Sequence, residues 1–343
     1  ACGNYVTSIT TNRHNVYSCG QSTEIMRHHR NLEGRSIVRT AIESMFVCLS
    51  NDGRAYLPAT GNGAYSSDEH IPFRAVAIQE RIIDAVTQNA HTLYLTDTGA
   101  VYIAGRATNG NFGDAQPNSD AFEPVRIPFL MDHFVVAISA CYDNTICVTH
   151  RGEVYATGCN SFGHLNIGHE NNISQFQKCF QSVEVPIEQV FSGYFHNVVK
   201  DVQGTYYCVG ETFGSIAKLK TLLPENVAHY ANMVTDVACG SEYTIFICDK
   251  TTLLVKGRNE SCQLGIESDN SPLKDFAIVK DAFPEFHDLL NTGRWVLKAA
   301  VSRAHSIMYL TPNKGRLIDL AFPRLGTLRS HQKLTDIEFC TFH

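Results

Sequence analysis

The sequence predicts an all-β fold, a seven-bladed β-propeller of about 49 residues per blade that occupies residues 1–343 as one domain. Three observations predict it. One phrase recurs seven times: an apolar strand, a tight turn, a short strand carrying an aromatic residue, then glycine. The aromatic position, or the leucine that replaces it, forms a ruler along the whole chain: Tyr17, Tyr56, Tyr102, Tyr155, Tyr207, Leu254 and Leu317. Its intervals run from 39 residues (Tyr17 to Tyr56) to 63 (Leu254 to Leu317), with no linker or change of composition between them. The apolar runs are short, rich in β-branched and aromatic residues, and bounded by turn formers, the pattern of strands rather than helices.

The units follow one another in order. The first runs from Val6 through Tyr17 to Gly20. The second runs from Met45 through Asp52-Gly53 and Tyr56 to Gly61. The third, His91 to Gly105, contains Asp97-Thr-Gly99, a hairpin signal because glycine accepts the positive φ of such turns. The fourth is Asn144 to Gly158, the fifth His196 to Gly210, and the sixth Tyr243 to Gly257. The seventh, His305 through Gly315 to Leu317, lacks the closing glycine. Helical spacing is convincing only at Phe283 to Leu290, inside an insertion around 266–296. The terminal stretch Leu334 to His343 reads like Val234 to Tyr243, the opening strand of a unit. It is therefore expected to close the ring by pairing with the N-terminal strands, because closure hides sheet edges that otherwise recruit other chains.

Composition removes several function classes. Lys plus Arg is 28 against 34 Asp plus Glu, a net charge of -6, so nucleic-acid binding through a basic surface is not expected. Charged residues make up 18% and hydrophobic ones 44%, which excludes a disordered chain. No apolar run reaches the length of a membrane span. The first fifteen residues are polar and do not read as a secretory leader, so a cytoplasmic or nuclear protein, not a secreted one, is expected, and as a monomer. The twelve cysteines stand singly, with no CxxC pair, and read as reduced, buried small hydrophobes. Cofactor signals are absent: there is no phosphate loop, nucleophile elbow or HExxH helix, and neither a cofactor nor a metal is expected.

Gly257-Arg-Asn-Glu-Ser-Cys-Gln-Leu-Gly265, Gly158 through Phe162-Gly-His-Leu to Gly168, Ser192-Gly-Tyr-Phe-His196 and Cys239-Gly-Ser-Glu-Tyr-Thr244 resemble the repeat of the RCC1 (regulator of chromosome condensation) family. The place before the unit glycine, often Trp in that family, holds Cys19, Ala104, Thr157, Val209 and Lys256. The resemblance implies a functional face built from the loops between the first and second strands of each blade, here called rim loops. It further implies a guanine-nucleotide exchange factor for a small, Ran-like GTPase. The alternative is a non-catalytic scaffold that binds another protein through the same face.

By position, the resemblance makes Asp143 the catalytic candidate. Asn89, His91, Asn144, His196, Glu242, His305 and His343 are partner-binding candidates on the rim. Asn89 and Glu242 replace family Asp and His residues. Arg106 to Gly113, with Asn109-Gly110-Asn111 at its centre, corresponds to a polar wedge that presses on the nucleotide site. For the recurring histidines a second reading stands beside the first, in which the ring bonds a neighbouring blade and fixes the loop.

Overall fold

The computed structural model describes all residues except 1–5, 11–12, 21–26, 43–44, 61–62, 64–69, 89–90, 116–119, 267–271, 281, 283, 302–305, 313–338 and 342–343. These described residues form seven separate antiparallel sheets, and no strand is shared between two of them. Sheet one comprises Val6–Thr10, Val16–Gly20 and Arg27–His28; sheet two Ile37–Ile42, Phe46–Ser50, Ala55–Pro58 and Phe73–Ala75. Sheet three comprises Ile82–Thr87, His91–Thr96, Val101–Gly105 and Ala121–Arg126; sheet four Val135–Cys141, Asn144–Thr149, Val154–Gly158 and Ile173–Cys179. Sheet five comprises Ile187–Ser192, His196–Asp201, Tyr206–Gly210 and Gly214–Lys218; sheet six Val234–Cys239, Tyr243–Cys248, Thr252–Gly257 and Leu273–Val279. Sheet seven comprises Trp295–Val301, Ser306–Pro312 and Phe339–Thr341. Each sheet packs on the next in chain order, from one on two to six on seven.

The core lies between successive sheets. Leu93, Ile103 and Phe112 of the third unit pack with Ile138, Cys147 and Phe176 of the fourth, and Ile146 and Leu165 pack with Val190 and Val199 of the fifth. Second strands such as His91–Thr96 and Tyr243–Cys248 are buried at every residue. A strand covered on both faces needs no polar alternation, which explains their continuous apolar character. At the far end of these strands one polar side chain caps the following turn. Thr96 Oγ1 accepts the Ala100 amide at 3.1 Å, and Asp201 Oδ1 accepts the amides of Gln203 (2.9 Å) and Thr205 (2.8 Å). First strands carry a register shift after their first residue in sheets two to six, a bulge repeated at one position.

The ruler residues Tyr17, Tyr56, Tyr102, Tyr155, Tyr207 and Leu254 all lie on third strands, or on the strand equivalent to them in sheet one, and Leu317 lies outside the described residues. The unit glycine ends the third strand opposite the first residue of the second: Gly105 pairs with His91, Gly158 with Asn144, Gly210 with His196 and Gly257 with Tyr243. Glycine is required there. At Gly158 φ is +110°, and a Cβ would stand 2.1 Å from the Asp143 carbonyl oxygen; at Gly210 φ is +107° and the Phe195 carbonyl would be 2.2 Å away.

The helical expectation within the insertion is met by a 3-10 turn, Pro284–Phe286, and a short α-helix, His287–Asn291, whose Phe286 and Leu290 pack beside sheets six and seven. A second helical excursion, Leu219–Leu222 followed by Glu225–Asn232, was not legible in the repeat and buries Leu219 and Leu223 beside sheets five and six.

The expected closing strand requires correction. Phe339–Thr341 pairs with Ser306–Pro312 as the third strand of sheet seven, with Ile307 opposite Thr341, and not with the N-terminal strands. In sheet one, the pairing of Val6 with Gly20 makes Val6–Thr10 the equivalent of a second strand. The resemblance of 334–343 to an opening strand was compositional. Strands of one unit share the same apolar, β-branched character, so composition does not distinguish a first strand from a third.

Candidate functional site

In sheets four, five and six the rim loops and the loops after the third strands lie at the same end, because strands alternate in direction. The strand bounds place Tyr142-Asp143, Gly193-Tyr194-Phe195 and Gly240-Ser241-Glu242 between the first and second strands of sheets four, five and six. The carbonyls of Asp143, Phe195 and Glu242 each accept an amide from the residue after the unit glycine: Cys159 at 3.0 Å, Glu211 at 2.8 Å and Arg258 at 2.9 Å. That repeated bond fixes each rim loop to its own third strand.

Asp143 is only 6% exposed. Its carboxylate accepts Thr108 Oγ1 and Asn109 Nδ2, both at 2.7 Å. The rim loop of sheet four thereby holds the Arg106–Gly113 loop of sheet three. That loop was expected to protrude as a wedge, and its placement is different: Asn111 and Phe112 are fully buried, and Thr157 Oγ1 donates to the Gly110 carbonyl at 2.9 Å. Arg106 and Asn109, the latter with φ at +48°, are its exposed residues. The loop packs between sheets because Phe112 belongs to the core shared by sheets three and four.

His91 and His196 sit at the recurring rim position, and both are fully buried. His91 Nε2 lies 2.9 Å from Thr145 Oγ1 and its Nδ1 3.1 Å from Asn111 Nδ2. Because Thr145 Oγ1 donates to the Asn111 carbonyl at 2.8 Å, His91 donates from Nε2 and accepts at Nδ1, the neutral tautomer. His196 Nε2 lies 2.7 Å from Thr244 Oγ1 on sheet six. Burial lowers the His91 pKa to about 4, and burial with the nearby His164 lowers that of His196 to about 3. Both rings join one sheet to the next, the structural reading of the two offered by the sequence. A partner resting on the rim does not reach them.

Asn144, at the same position in sheet four, donates Nδ2 to His164 Nε2 at 2.8 Å. His164, likewise buried and lowered to about 4, belongs to the Gly158–Gly168 tail; its carbonyl accepts Asn197 Nδ2 of sheet five at 2.8 Å. Gln263 does the same for sheet seven, its carbonyl accepting Ser306 Oγ at 2.7 Å. Asn111, His164 and Gln263 thus form one series of struts. The signal was present in the tails: Asn160 and Asn259 each stand five residues before a buried leucine, and their Oδ1 atoms accept the Leu165 and Leu264 amides at 2.9 Å. Asn89, His305 and His343 lie outside the described residues.

Glu242 is partly exposed and pairs with Arg258 at 3.2 Å, which also holds Glu260 at 2.6 Å. Between sheets four and five the rim carries touching aromatic rings: Tyr142 with Tyr194 (5.2 Å between centroids) and Phe195 (5.9 Å), and Phe195 with Phe162 (4.5 Å).

Among the described residues no three His, Cys, Asp or Glu side chains group as metal ligands, and no helix is long and apolar enough to cross a membrane. Nine of the cysteines among the described residues are free, and seven of these nine are buried. Burial pushes the thiols of Cys179 and Cys248 up to about 12, leaving them protonated and poor nucleophiles. A cavity of about 350 Å³, lined by Arg151, Lys178, Phe180 and Pro186 among others, opens at the far end of sheets four and five, away from the rim.

No family model matches the chain. The chain is 24% identical over 252 residues to the human Regulator of chromosome condensation, covering 64% of this chain and 59% of that one. It is 25% identical over 205 residues to the human probable E3 ubiquitin-protein ligase HERC6 (57% and 20%) and 23% identical over 193 residues to the bovine secretion-regulating guanine nucleotide exchange factor (52% and 41%). The matches therefore span less than two thirds of these relatives. Among solved structures, yeast Prp20p superposes with a TM-score of 0.71 at 15% identity, over 92% of this chain and 82% of that one, and human WBSCR16 with 0.68 at 14%, over 91% and 86%. These likenesses show a common fold, that of the RCC1 propellers. Repeat phrase, strand register and relatives together make this chain a member of the RCC1-repeat family.

Proposed function

We propose that the seven sheets are the blades of a seven-bladed propeller, and that its rim-loop face engages a small GTPase of the Ran type and promotes guanine-nucleotide exchange. The observation that carries this reading is the joint at Asp143: a rim carboxylate held at 2.7 Å from both Thr108 and Asn109, so that the rim loop of one blade and the Arg106–Gly113 loop of the preceding one form one preset surface. Exchange requires no covalent step. A factor that stabilises the nucleotide-free GTPase lowers nucleotide affinity by the same factor through linkage. A preset surface serves that purpose, because little ordering entropy is lost on binding. The relatives support the partner class: one carries exchange factor in its name, and Prp20p is described with its binding to Gsp1p.

Within this reading Asp143 and Asn109 act at the centre of the face and Glu242 at its edge. Asn111, Gly110, Asn144, His91 and His196 act through the loops they hold. Exchange is tested by release of a fluorescent guanine nucleotide from a Ran-family GTPase with catalytic amounts of the protein. Release should accelerate at least about tenfold, and Asp143→Ala should remove at least about tenfold of the rate, or about 1.4 kcal/mol. Thr108→Val should reproduce part of that loss, since it frees the same loop without removing the charge.

A scaffold reading is favoured by one observation: Glu242 replaces a family His and already pairs with Arg258. A protein that accelerates no GTPase, yet binds a partner indifferently to Asp143→Ala, decides for the scaffold.

A further inference from the structure

The rim between sheets four and six carries two features, of which the exchange reading uses only the Asp143 and Glu242 carboxylates. The first is the aromatic cluster. Phe162 is 39% exposed, and Tyr142, Tyr194 and Phe195 are half-buried although they belong to loops at the protein surface. Tyr142 has φ of +37° in a two-residue turn whose ends, Cys141 and Asn144, are paired. A left-handed conformation is unfavourable for an aromatic residue, and such strain concentrates where a surface is shaped for a ligand. The ring centroids lie 4.5–5.9 Å apart, so the rings form one continuous patch rather than scattered apolar residues.

The second feature is charge. The rim and third-strand loops of sheets four to six carry Asp143, Glu170, Glu211, Glu242 and Glu260 against Arg258 alone among the described residues. Glu211 adjoins the aromatic patch, since its amide donates to the Phe195 carbonyl at 2.8 Å. No basic side chain among the described residues pairs with it. Desolvation and the neighbouring Glu242 charge raise the Glu211 pKa, although the side chain as a whole is exposed.

We propose that this patch docks a basic segment of a partner protein, with an arginine guanidinium stacked on the Tyr142, Phe162, Tyr194 and Phe195 rings beside Glu211 and Glu242. Arginine suits both halves of the site, because its plane stacks on aromatic faces while its fork donates to carboxylates. Nucleic acid is repelled by the same carboxylates, and a second copy of this chain, at a net charge of -6, brings no excess of cations. The inference rests on the reading of the rim as a docking face and adds the chemistry of what docks there.

The test uses fluorescence anisotropy with labelled nona-arginine and nona-lysine peptides at fixed low salt. Wild-type protein should bind nona-arginine about fivefold more tightly than nona-lysine, the scale of a cation–π contact. Phe162→Ala, at an exposed position that leaves the fold intact, should weaken nona-arginine about fivefold and erase the preference. Glu211→Gln should weaken both peptides, with an unchanged melting temperature in each variant. Equal binding of the two peptides, or a Phe162→Ala protein that keeps the preference, overturns the proposal, as does the absence of binding. A protein that accelerates nucleotide release but ignores both peptides overturns this inference and leaves exchange standing. Peptide binding without exchange overturns exchange alone.

Discussion

Lowering the pH from 7.5 to 5 tests the buried histidine struts directly. His91 and His164 have folded pKa values of about 4, and His196 about 3, against about 6.5 in an unfolded chain. A depressed folded value means that the unfolded state takes up the proton first. Stability is therefore complete above about pH 6.5 and is lost as the pH falls towards the folded values. At pH 5 each such ring removes about 2 kcal/mol, and the three together about 6 kcal/mol, a large share of the roughly 5–15 kcal/mol typical of a domain. With about 2.1 cal/mol/K of unfolding entropy per residue over this chain, that corresponds to a fall of about 8 °C in melting temperature. Scanning calorimetry at the two pH values measures it. His91→Gln can still donate to Thr145 and accept from Asn111, so it should remove about one third of the pH-dependent loss while costing little at pH 7.5. The reasoning fails if the wild type loses less than about 2 °C between the two conditions. It also fails if a protein with all three histidines replaced by Gln loses as much as the wild type.

Two further perturbations separate backbone from side-chain causes. Gly158→Ala drives a Cβ to 2.1 Å from the Asp143 carbonyl and should cost more than about 3 kcal/mol in urea unfolding, whereas Gly168→Ala, with φ of +90° but open space around it, should cost only about 1 kcal/mol. Equal losses would mean that the clash at Gly158 relaxes freely. For the cysteines, native protein should react rapidly with few equivalents of a thiol reagent, and denatured protein with about all twelve. A reducing agent should leave the melting temperature unchanged, and a clear drop would reveal a disulfide.

The repeat was legible because its physics is local. A glycine beneath a carbonyl, as at Gly158 and Gly210, and a second strand buried on both faces, as at Tyr243–Cys248, leave marks at fixed spacing. The helices at Leu219–Leu222 and Glu225–Asn232 left none, because an insertion outside the sheets follows no repeat and is held by a few apolar contacts. The terminal strand was misassigned because pairing is a long-range choice between strands of the same composition. Asp143, His91 and His196 all sit on or just below the rim, yet whether a polar side chain faces a partner or a neighbouring sheet depends on what packs against it. Thr145 and Thr244, the residues that decide it for the two histidines, lie about fifty residues further on. The aromatic patch went unnoticed because Tyr142, Phe162 and the Tyr194-Phe195 pair are separate in sequence and meet only when sheets four and five stack.

The central claim is that the rim face does the binding, and a hydrogen-exchange footprint tests it most directly. Amide exchange should be measured on the chain alone and in the presence of a nucleotide-free Ran-family GTPase. The account predicts slowed exchange at Tyr142 to Asn144, Tyr194 to Phe195, Ser241 to Glu242 and Arg106 to Asn109, with the far-end turns at Asp97 to Gly99 and Arg151 to Glu153 unchanged. Slowed exchange confined to the far-end turns and the cavity at Lys178 to Pro186, with the rim loops unaffected, would contradict it.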